Sequence, residues 1–166
     1  MRLTLRPATP ADAPIVAALR NAAAETLTKQ FGNGPWSSLA TEKTVLFQMK
    51  YGTVYLALKG KSPLATVTLT KKKPWAHDRS YFTPCENPRY LIAMAVSPAH
   101  QRQGVGRASL EAIKKLAAKI PCDAICLDAY NHPAGAAPFY AKCGFKELAR
   151  ISYKSTPLVY LEWLAI

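Results

Sequence analysis

No stretch of this sequence is long and apolar enough to cross a membrane, and acidic residues are scarce. A membrane-spanning helix needs about 20 consecutive apolar residues, so an integral membrane protein is not expected. The first residues, Met1 to Pro7, alternate polar and apolar side chains where a secretory signal would have an apolar core. Because 49% of the 166 residues are apolar, the composition predicts a folded chain, and the length predicts a single domain over residues 1–166.

The cysteines do not have the spacing of a zinc site. Cys122 and Cys126 lie close together, but no second pair accompanies them, whereas structural zinc sites use two pairs of ligands. No metal is therefore expected. Unpaired thiols stay reduced in a cytoplasm, which is the predicted location. Cys126 alternates into a strand and Cys143 lies on a helix face, so both are predicted to be small core residues.

The charge balance points to anionic partners. The 22 basic and 10 acidic residues give a formal net charge of +12, and such a surface attracts anions. Nucleic acid and a cofactor with several phosphates both fit this charge. The basic residues are scattered, apart from Lys71–Lys73, and no nucleic-acid-binding motif is present. Nucleic acid is therefore not expected as a partner, although a basic nucleic-acid-binding protein remains the alternative from a different class.

The most informative stretch is a glycine loop between a strand and a helix. Leu91–Val96 is apolar, residues 101–106 read Gln-Arg-Gln-Gly-Val-Gly, and a helical pattern continues to about Lys119. Glycine lets the backbone approach a ligand, and the free N–H groups of a helix N-terminus attract phosphate. A dinucleotide-binding loop would need glycine at Ser109, and the Gly-Lys-Ser/Thr of a P-loop is absent. The loop therefore predicts a pyrophosphate site of another kind.

A second motif, Phe-Tyr-Ala-Lys-Cys-Gly-Phe, occupies residues 139–145. With Gln101-x-x-Gly104-x-Gly106 it resembles the paired signatures of the GNAT superfamily of N-acetyltransferases, firmly from about Tyr90 to Leu148. The resemblance implies transfer of an acetyl group from acetyl-CoA to a primary amine of a small molecule, amino acid or peptide. In this family the amine attacks directly in a ternary complex. A non-catalytic coenzyme A-binding sensor is the further alternative, because the fourth strand has no carboxylate.

The order of elements predicts an α/β protein with a mixed, α+β-type sheet. The resemblance adds splayed fourth and fifth strands, flanking helices and the cofactor arm between those strands. A monomer or a homodimer is expected. The predicted strands are Leu3–Arg6, Val54–Leu58, Ala65–Leu69, Tyr90–Val96, Ala124–Ala129, Phe145–Arg150 and Leu158–Trp163. The predicted helices run from Pro10, with Thr9 as N-cap, to about Leu27, from Thr41 to Tyr51, from the glycine loop to about Lys119 and from Ala136 to Cys143.

The cofactor is expected to be held mainly by backbone atoms. The resemblance places the Met94 N–H as donor to the acetyl carbonyl, a chemically suitable oxyanion donor because it is rigid and already oriented. It places Val96 against the pantetheine arm and the loop amides against the pyrophosphate. The full set of implied cofactor contacts is Met94, Ala95, Val96, Gln101, Arg102, Gln103, Gly104, Val105, Gly106, Arg107, Asn131, Tyr140 and Lys142.

Two members of that set carry an open alternative. Tyr140 is the candidate general acid, because a phenol with a pKa of ~10 is protonated at neutral pH and can donate to a leaving thiolate. The alternative is an aromatic residue that packs on the sheet. Asn131 is the nearest asparagine to the position, seven residues before this tyrosine, where many family members bind pantetheine. Here that position is Pro133, and Asn131 could instead be a cap or turn residue.

The general base is not evident, because Tyr90 to Met94 contains no carboxylate. The long connection over residues 71–88 is polar and aromatic, and such loops on compact domains are often functional. Asp78 is the candidate base, with exposed loop charges or a relayed water as the alternatives. The candidate acceptor-binding residues are Glu25, Trp75, His77, Asp78, Tyr81 and Glu86. The identity of the acceptor does not follow from the sequence.

Overall fold

The computed structural model describes residues 1–165. Regular elements follow one another along the chain as β1 (Thr4–Pro7), α1 (Ala13–Phe31), α2 (Glu42–Gln48), β2 (Gly52–Lys59), β3 (Ser62–Thr70), β4 (Pro88–Val96), α3 (Val105–Ala117), β5 (Ala124–Tyr130), α4 (Ala137–Lys142), β6 (Lys146–Tyr153) and β7 (Thr156–Leu164). Short 3-10 helices lie at Pro10–Asp12, Pro35–Ser37, Arg79–Tyr81 and Pro98–His100. No helix within residues 1–165 could span a bilayer.

The seven strands form one mixed sheet in the order β1-β2-β3-β4-β5-β7-β6. Neighbouring strands are antiparallel except for the central pair, β4 and β5. These two strands pair only at their beginnings, where Pro88–Tyr90 faces Ala124–Cys126. Beyond these residues β4 and β5 do not pair with each other, so the two strands diverge. The predicted fold class and the splayed central strands are confirmed.

A β-bulge in β4 lies next to this opening. Thr66 pairs with Ala95 and Thr68 pairs with Ile92, so the register shifts by one residue between them. Ala93 takes up the extra length with a left-handed φ of 52°, a conformation that is unusual for a residue with a side chain. Bulges bend a strand and redirect its backbone groups, and they are common beside active sites. This bulge sets the orientation of the Met94 backbone at the mouth of the opening.

Alternation along the strands divides the core between the two faces of the sheet. Leu127 and Leu161 face α3 and α4, where they join a cluster that contains Leu110 and Ile113. The opposite face carries two further clusters. Helices α1 and α2 cover one end of it, with Val16, Val45, Val54 and Leu56, and the 71–88 connection covers the other, with Phe82, Tyr90, Cys126 and Tyr160.

Several element boundaries differ from the sequence prediction. Helix α1 was predicted to end near Leu27 but continues to Phe31, because its first helix breaker is Gly32, with a φ of 80°. Helix α2 stops at Gln48 and not at Tyr51. Strands β6 and β7 are longer than predicted. A tight turn with left-handed φ at Lys154 and Ser155 joins them, and neither residue is a usual signal for such a turn.

Candidate active site

The glycine loop ends in a helix N-terminus that has no side-chain cap. Gly104 is the residue before α3 and has a left-handed φ of 83°. No side chain of residues 1–165 accepts a hydrogen bond from the first turn of α3, so its N–H groups remain available. Free N–H groups and the positive end of the helix dipole favour phosphate at this position. The geometry therefore fits the pyrophosphate site that the sequence predicts.

Gly106 joins the two sequence motifs physically. A Cβ at this position would lie 2.9 Å from Cζ of Phe139, on α4. The missing side chain therefore lets the first turn of α3 pack against the Phe139–Phe145 segment. Arg107 extends from α3 to the same segment, where Nη2 donates to the Lys142 carbonyl over 3.4 Å. The two motifs consequently build one side of a single site.

The other polar loop residues brace the loop itself. Gln101 Nε2 donates to the Val96 carbonyl at 3.2 Å, and Gln103 Nε2 donates to the Ala99 carbonyl at 3.1 Å. Arg102 is exposed and has a left-handed φ of 60°. These side chains hold the loop conformation, so the groups that face outward at the helix start are mainly backbone amides. Val96 keeps a second lone pair on its carbonyl for another donor.

A cavity of about 340 Å³ opens between the splayed strands. It brings together Met94 of β4, Asp128 of β5 and Tyr140 of α4. Aromatic and small residues complete its wall: Leu27, Trp36, Leu91, Ile92, Ala93, Ala129, Tyr130, Ala134, Gly135, Ala136 and Leu158. The sequence prediction contained Met94 and Tyr140, but it contained neither Asp128 nor the aromatic pair Trp36 and Tyr130.

Tyr140 lies at the inner wall of this cavity. It is 8% exposed, and its hydroxyl lies 3.7 Å from the Met94 sulfur, a weak acceptor. Burial, followed by the negative charge of Asp128, raises the pKa of this phenol well above its usual range. The hydroxyl therefore keeps its proton at any working pH, and it has no strong acceptor to compete for that proton.

Asp128 faces the cavity and is backed by a buried histidine. Its side chain is 28% exposed, and Oδ1 lies 3.5 Å from Nε2 of His77, whose side chain is fully buried. Phe82 stacks on the imidazole with ring centroids 5.2 Å apart, and Tyr90 and Tyr160 pack against its other sides. Neither ring nitrogen has a hydrogen-bond partner among residues 1–165. The Asp128 carboxylate therefore lies beside the imidazole, without a hydrogen bond between them.

The 71–88 connection is hydrogen-bonded to side chains of β7. Glu162 is a buried carboxylate that accepts from the Thr83 N–H at 3.1 Å and from the Thr83 hydroxyl. Tyr160 donates to the Ala76 carbonyl and accepts from the Asp78 N–H at 3.1 Å. These bonds hold His77 against β5, which explains how a loop residue reaches the centre of the sheet.

The remaining acceptor candidates lie in different places. Asp78 caps the 3-10 helix at Arg79–Tyr81, accepting from the N–H and the hydroxyl of Ser80, and these bonds lower its pKa. Tyr81 and Glu86 are exposed, and Tyr81 touches the edge of Tyr160. Trp75 is 84% exposed and borders a small groove with Phe47 and Tyr51. His77 of this loop lies beside Asp128, a wall residue of the cavity between the strands.

Glu25 and Asn131 lie at the outer edge of the site. Glu25 borders an open depression of about 730 Å³ on α1, which also involves Pro98 near the glycine loop. Asn131 is exposed, and its backbone N–H donates to the Pro157 carbonyl at 2.9 Å. The chain after it turns tightly, since a Cβ on Gly135 would lie 1.9 Å from the Tyr130 carbonyl oxygen.

A second cavity, of about 540 Å³, lies on the α1–α2 side of the splayed strands. It shares Ala93, Met94, Trp36 and other wall residues with the first cavity, so the two adjoin at the β4 bulge. Its polar wall residues include Arg20, Thr44 and Gln48. The site therefore has an α3–α4 side, where the pyrophosphate loop lies, and an α1–α2 side. A reactive group could pass from one side to the other between β4 and β5.

The site residues that the sequence prediction did not include differ in how recognisable they are from the sequence. Asp128 is the only acid in Ala124–Tyr130, an otherwise apolar strand, and a charge inside such a strand is a recognisable sign of function. Arg20 and Trp36 had no comparable sign. They reach the site only because α1 and the loop after it fold across the strands.

The glycine loop, the uncapped helix and the opening between parallel strands define a transferase that binds a phosphate-bearing cofactor. A family model described as the acetyltransferase (GNAT) family matches residues 17–145, most of the chain. The chain therefore belongs to this family. Its acetyl donor is acetyl-CoA, and it is an acetyl-CoA-dependent N-acetyltransferase.

Solved structures of similar fold include enzymes with different acceptors. The ribosomal-protein-S18-alanine N-acetyltransferase of Escherichia coli has a TM-score of 0.71 at 17% identity, covering 99% of this chain and 94% of that one. YncA of Salmonella typhimurium, a putative acetyltransferase solved with its cofactor acetyl-CoA, has a TM-score of 0.68 at 16% identity, covering 99% and 94%. A spermidine N-acetyltransferase chimera from Vibrio cholerae has a TM-score of 0.72 at 14% identity, covering 99% and 96%. At these identities the likeness shows a shared fold.

Proposed function

We propose that this enzyme acetylates a primary amine of a small molecule, amino acid or peptide by direct attack on acetyl-CoA in a ternary complex. The observation that carries the proposal is the cavity between β4 and β5, which brings the Met94 backbone, the Asp128 carboxylate and the Tyr140 hydroxyl together. Direct transfer needs an oxyanion donor, a base and a partner for the leaving thiolate. The cavity offers one candidate group for each task.

Asp128 is the proposed general base, in place of Asp78. Its carboxylate faces the cavity, whereas the Asp78 carboxylate is occupied by Ser80 as a helix cap. His77 lies behind the Asp128 side chain, with Nε2 3.5 Å from Oδ1, and a proton on Nε2 would attract the carboxylate. His77 is thus a positioning residue in this proposal, and the carboxylate that the fourth strand lacks is supplied by the fifth.

Each of these groups has one task in the proposed reaction. The amine nitrogen attacks the thioester carbonyl carbon while Asp128 accepts a proton from the nitrogen. The Met94 N–H donates to the developing oxyanion, and the β4 bulge fixes its direction. The C–S bond breaks as the carbonyl forms again, the Tyr140 hydroxyl gives its proton to the departing thiolate, and the proton on Asp128 returns to the phenolate through solvent. The backbone amides at the start of α3 hold the pyrophosphate of the cofactor through all of these steps.

Amine-dependent release of the coenzyme A thiol is the test. The purified enzyme is mixed with acetyl-CoA and a panel of primary amines, and the acetylated product is identified by mass. Asp128→Asn and Asp78→Asn are assayed side by side, because they compare the two candidate bases with the same chemical change. Amine-dependent turnover that Asp128→Asn alone removes supports the proposal. Release that is independent of every amine, with no acetylated product, contradicts it.

The predicted setting is a cytoplasm, where the free cysteines at 85, 122, 126 and 143 would stay reduced. Cys126 and Cys143 are buried, as the sequence predicts, and burial raises the pKa of both thiols. Neither is therefore an activated nucleophile. This agrees with direct transfer to the amine, without an acyl intermediate on a protein thiol.

A further inference from the structure

Arg20 is a partly buried cation that forms no ion pair with an acidic residue of the described chain. It projects from α1 into the wall of the α1–α2 cavity, where Nη2 donates to the Thr68 hydroxyl at 3.1 Å. Its Nε is buried and has no hydrogen-bond partner within residues 1–165. Burial lowers the pKa of the guanidinium to about 10, so it remains charged at neutral pH. The protein therefore keeps a positive charge here at a cost in desolvation.

Three other cations of the described chain have a carboxylate partner. Arg6 lies 2.8 Å from Asp12, Lys114 lies 3.1 Å from Glu111, and Arg150 lies 2.7 Å from Glu147. These pairs lie near the surface, where a partner adds little. Among the described residues that line the α1–α2 cavity, none is acidic. Arg20 thus faces a cavity whose described wall offers it no carboxylate, and a ligand in that cavity can supply one.

A second unpaired polar atom lies in the same wall. Gln48 Oε1 is buried and has no hydrogen-bond partner within the described part of the chain. Native proteins rarely leave buried polar groups unpaired, and such groups need an explanation. Two in one cavity, beside the Met94 backbone, are explained by a ligand that supplies an oxyanion and further polar groups.

We infer that the acetyl acceptor of this enzyme carries a carboxylate, and that Arg20 binds it in the α1–α2 cavity. The inference rests on the proposed function and specifies its substrate class as an amino acid or a similar amino-carboxylate. A guanidinium presents several N–H donors in a planar fork that matches a carboxylate. The shared wall at Ala93 and Met94 lets a ligand anchored at Arg20 extend its amine toward the thioester.

The same arrangement selects against acceptors that are only cationic. A polyamine would place a positive charge beside a partly buried guanidinium that has no carboxylate partner, and like charges repel. Removing the carboxylate from a good acceptor would leave the buried Nε of Arg20 without a partner again. Discrimination by such a group is large, since loss of one partner of a buried charge pair costs binding heavily.

The experiment uses matched triplets of amines with the full-length enzyme and acetyl-CoA. Each triplet contains a free amino acid, its carboxamide and the corresponding amine without the carboxyl carbon. The triplets cover α-amino acids of increasing side-chain size and ω-amino acids of increasing length. The variants are Arg20→Met, Arg20→Lys and, as a control of equal charge change on the adjacent helix, Lys43→Met, whose side chain is exposed and does not line the cavity.

Two readouts separate binding from catalysis. Turnover is followed by thiol release, and binding is followed by the shift in melting temperature with coenzyme A present. The wild type and Lys43→Met should prefer at least one amino acid over its carboxamide and its decarboxylated amine by about 30-fold or more in kcat/KM. Arg20→Met should lose that preference and the thermal shift, and Arg20→Lys should keep only part of both.

The outcomes distinguish this inference from the proposed function. Equal turnover and equal thermal shifts for acids, carboxamides and decarboxylated amines would overturn the inference that the acceptor carries a carboxylate. The proposed acetyl transfer would stand. Acids that stabilise the wild type but not Arg20→Met, without turnover of any amine, would support the carboxylate site and count against the proposed reaction. A preference for acids that survives in a folded Arg20→Met would overturn the assignment to Arg20.

Discussion

The two sides of the opening between β4 and β5 bind by different physical means. On the cofactor side, the exposed groups are backbone amides of a glycine loop and a helix start, within one continuous segment of chain. On the α1–α2 side, the wall consists of side chains such as Arg20 and Gln48, which come from helices far from β4 in sequence. The first side suits a cofactor that does not vary, and the second suits a substrate that differs from one enzyme to another.

This difference explains where specificity can change without loss of the reaction. Backbone groups stay in place whatever side chains a sequence carries, so acetyl-CoA binding at the proposed glycine-loop site would depend on a few glycines and on helix geometry. Side chains on α1, α2 and the 71–88 connection can be replaced without moving that loop. Function on this fold is therefore set by the grafted site and not by the architecture.

The largest effect is expected at Asp128, which lines the cavity between the splayed strands. Asp128→Asn keeps the size and shape of the side chain but cannot accept the proton of the amine. Turnover should fall by ~10²–10⁴-fold, the range typical of a lost general base. Acetyl-CoA affinity, measured by calorimetry, should change little. Wild-type turnover of a folded Asp128→Asn would mean that the proton leaves through water.

The second effect concerns Tyr140. Tyr140→Phe keeps the ring and loses only a hydroxyl whose partner is a weak sulfur acceptor, so the melting temperature should stay nearly unchanged. The turnover number should fall at least ~10²-fold. Because the pKa of Tyr140 is raised, wild-type turnover should not decline between pH 8 and 10, where a phenol of ordinary pKa would begin to ionise. Near wild-type turnover of the phenylalanine variant would reduce Tyr140 to a packing residue.

The third effect isolates the cofactor side. Gly104→Val places a side chain on a residue with left-handed φ, where no other atom lies within 4 Å, so it blocks the approach of the pyrophosphate and strains the loop. Coenzyme A affinity should fall at least about tenfold, or ~1.4 kcal/mol. Gly60→Val is the matched control, because Gly60 is also left-handed and also open, but it lies in the β2–β3 hairpin. Equal affinity of the two variants would refute the assignment of the loop.

The smallest effect is expected at Asp78. Asparagine can cap the 3-10 helix at Arg79–Tyr81 as aspartate does, and Asp78 does not line the cavity between the strands. Turnover and acetyl-CoA affinity of Asp78→Asn should both stay within about twofold of the wild type, as for other surface substitutions. A large loss of turnover in this variant would mean that the general base lies in the 71–88 connection and is Asp78.

The sequence was sufficient to predict the parts of the molecule that are determined by short stretches of the chain. The Gln101–Gly106 loop, Tyr140 and the order of strands all follow from short patterns, and the structure has the loop on the predicted helix start. Helix ends were less certain: α1 continues past Leu27 because its polar last turn contains no breaker before Gly32. The turn at Lys154 and Ser155 gave no signal, since its left-handed residues are not glycine or asparagine.

The acceptor side depends on contacts that local patterns do not contain. His77 was recognised as a polar loop residue, but its burial beside Asp128 results from the bonds of Tyr160 and Glu162 to the loop. Arg20 resembles any surface arginine on an alanine-rich helix until α2 and β3 enclose it. Asp128 did have a local signal, a lone acid in an apolar strand, that pointed to the site.

The most direct test of this division is the affinity of acetyl-CoA for the wild type, Gly104→Val and Arg20→Met, measured by isothermal titration calorimetry under one set of conditions. Separate binding on the two sides predicts that Arg20→Met binds acetyl-CoA like the wild type, whereas Gly104→Val binds it at least about tenfold more weakly. A loss of acetyl-CoA affinity in Arg20→Met together with unchanged affinity in Gly104→Val would contradict it.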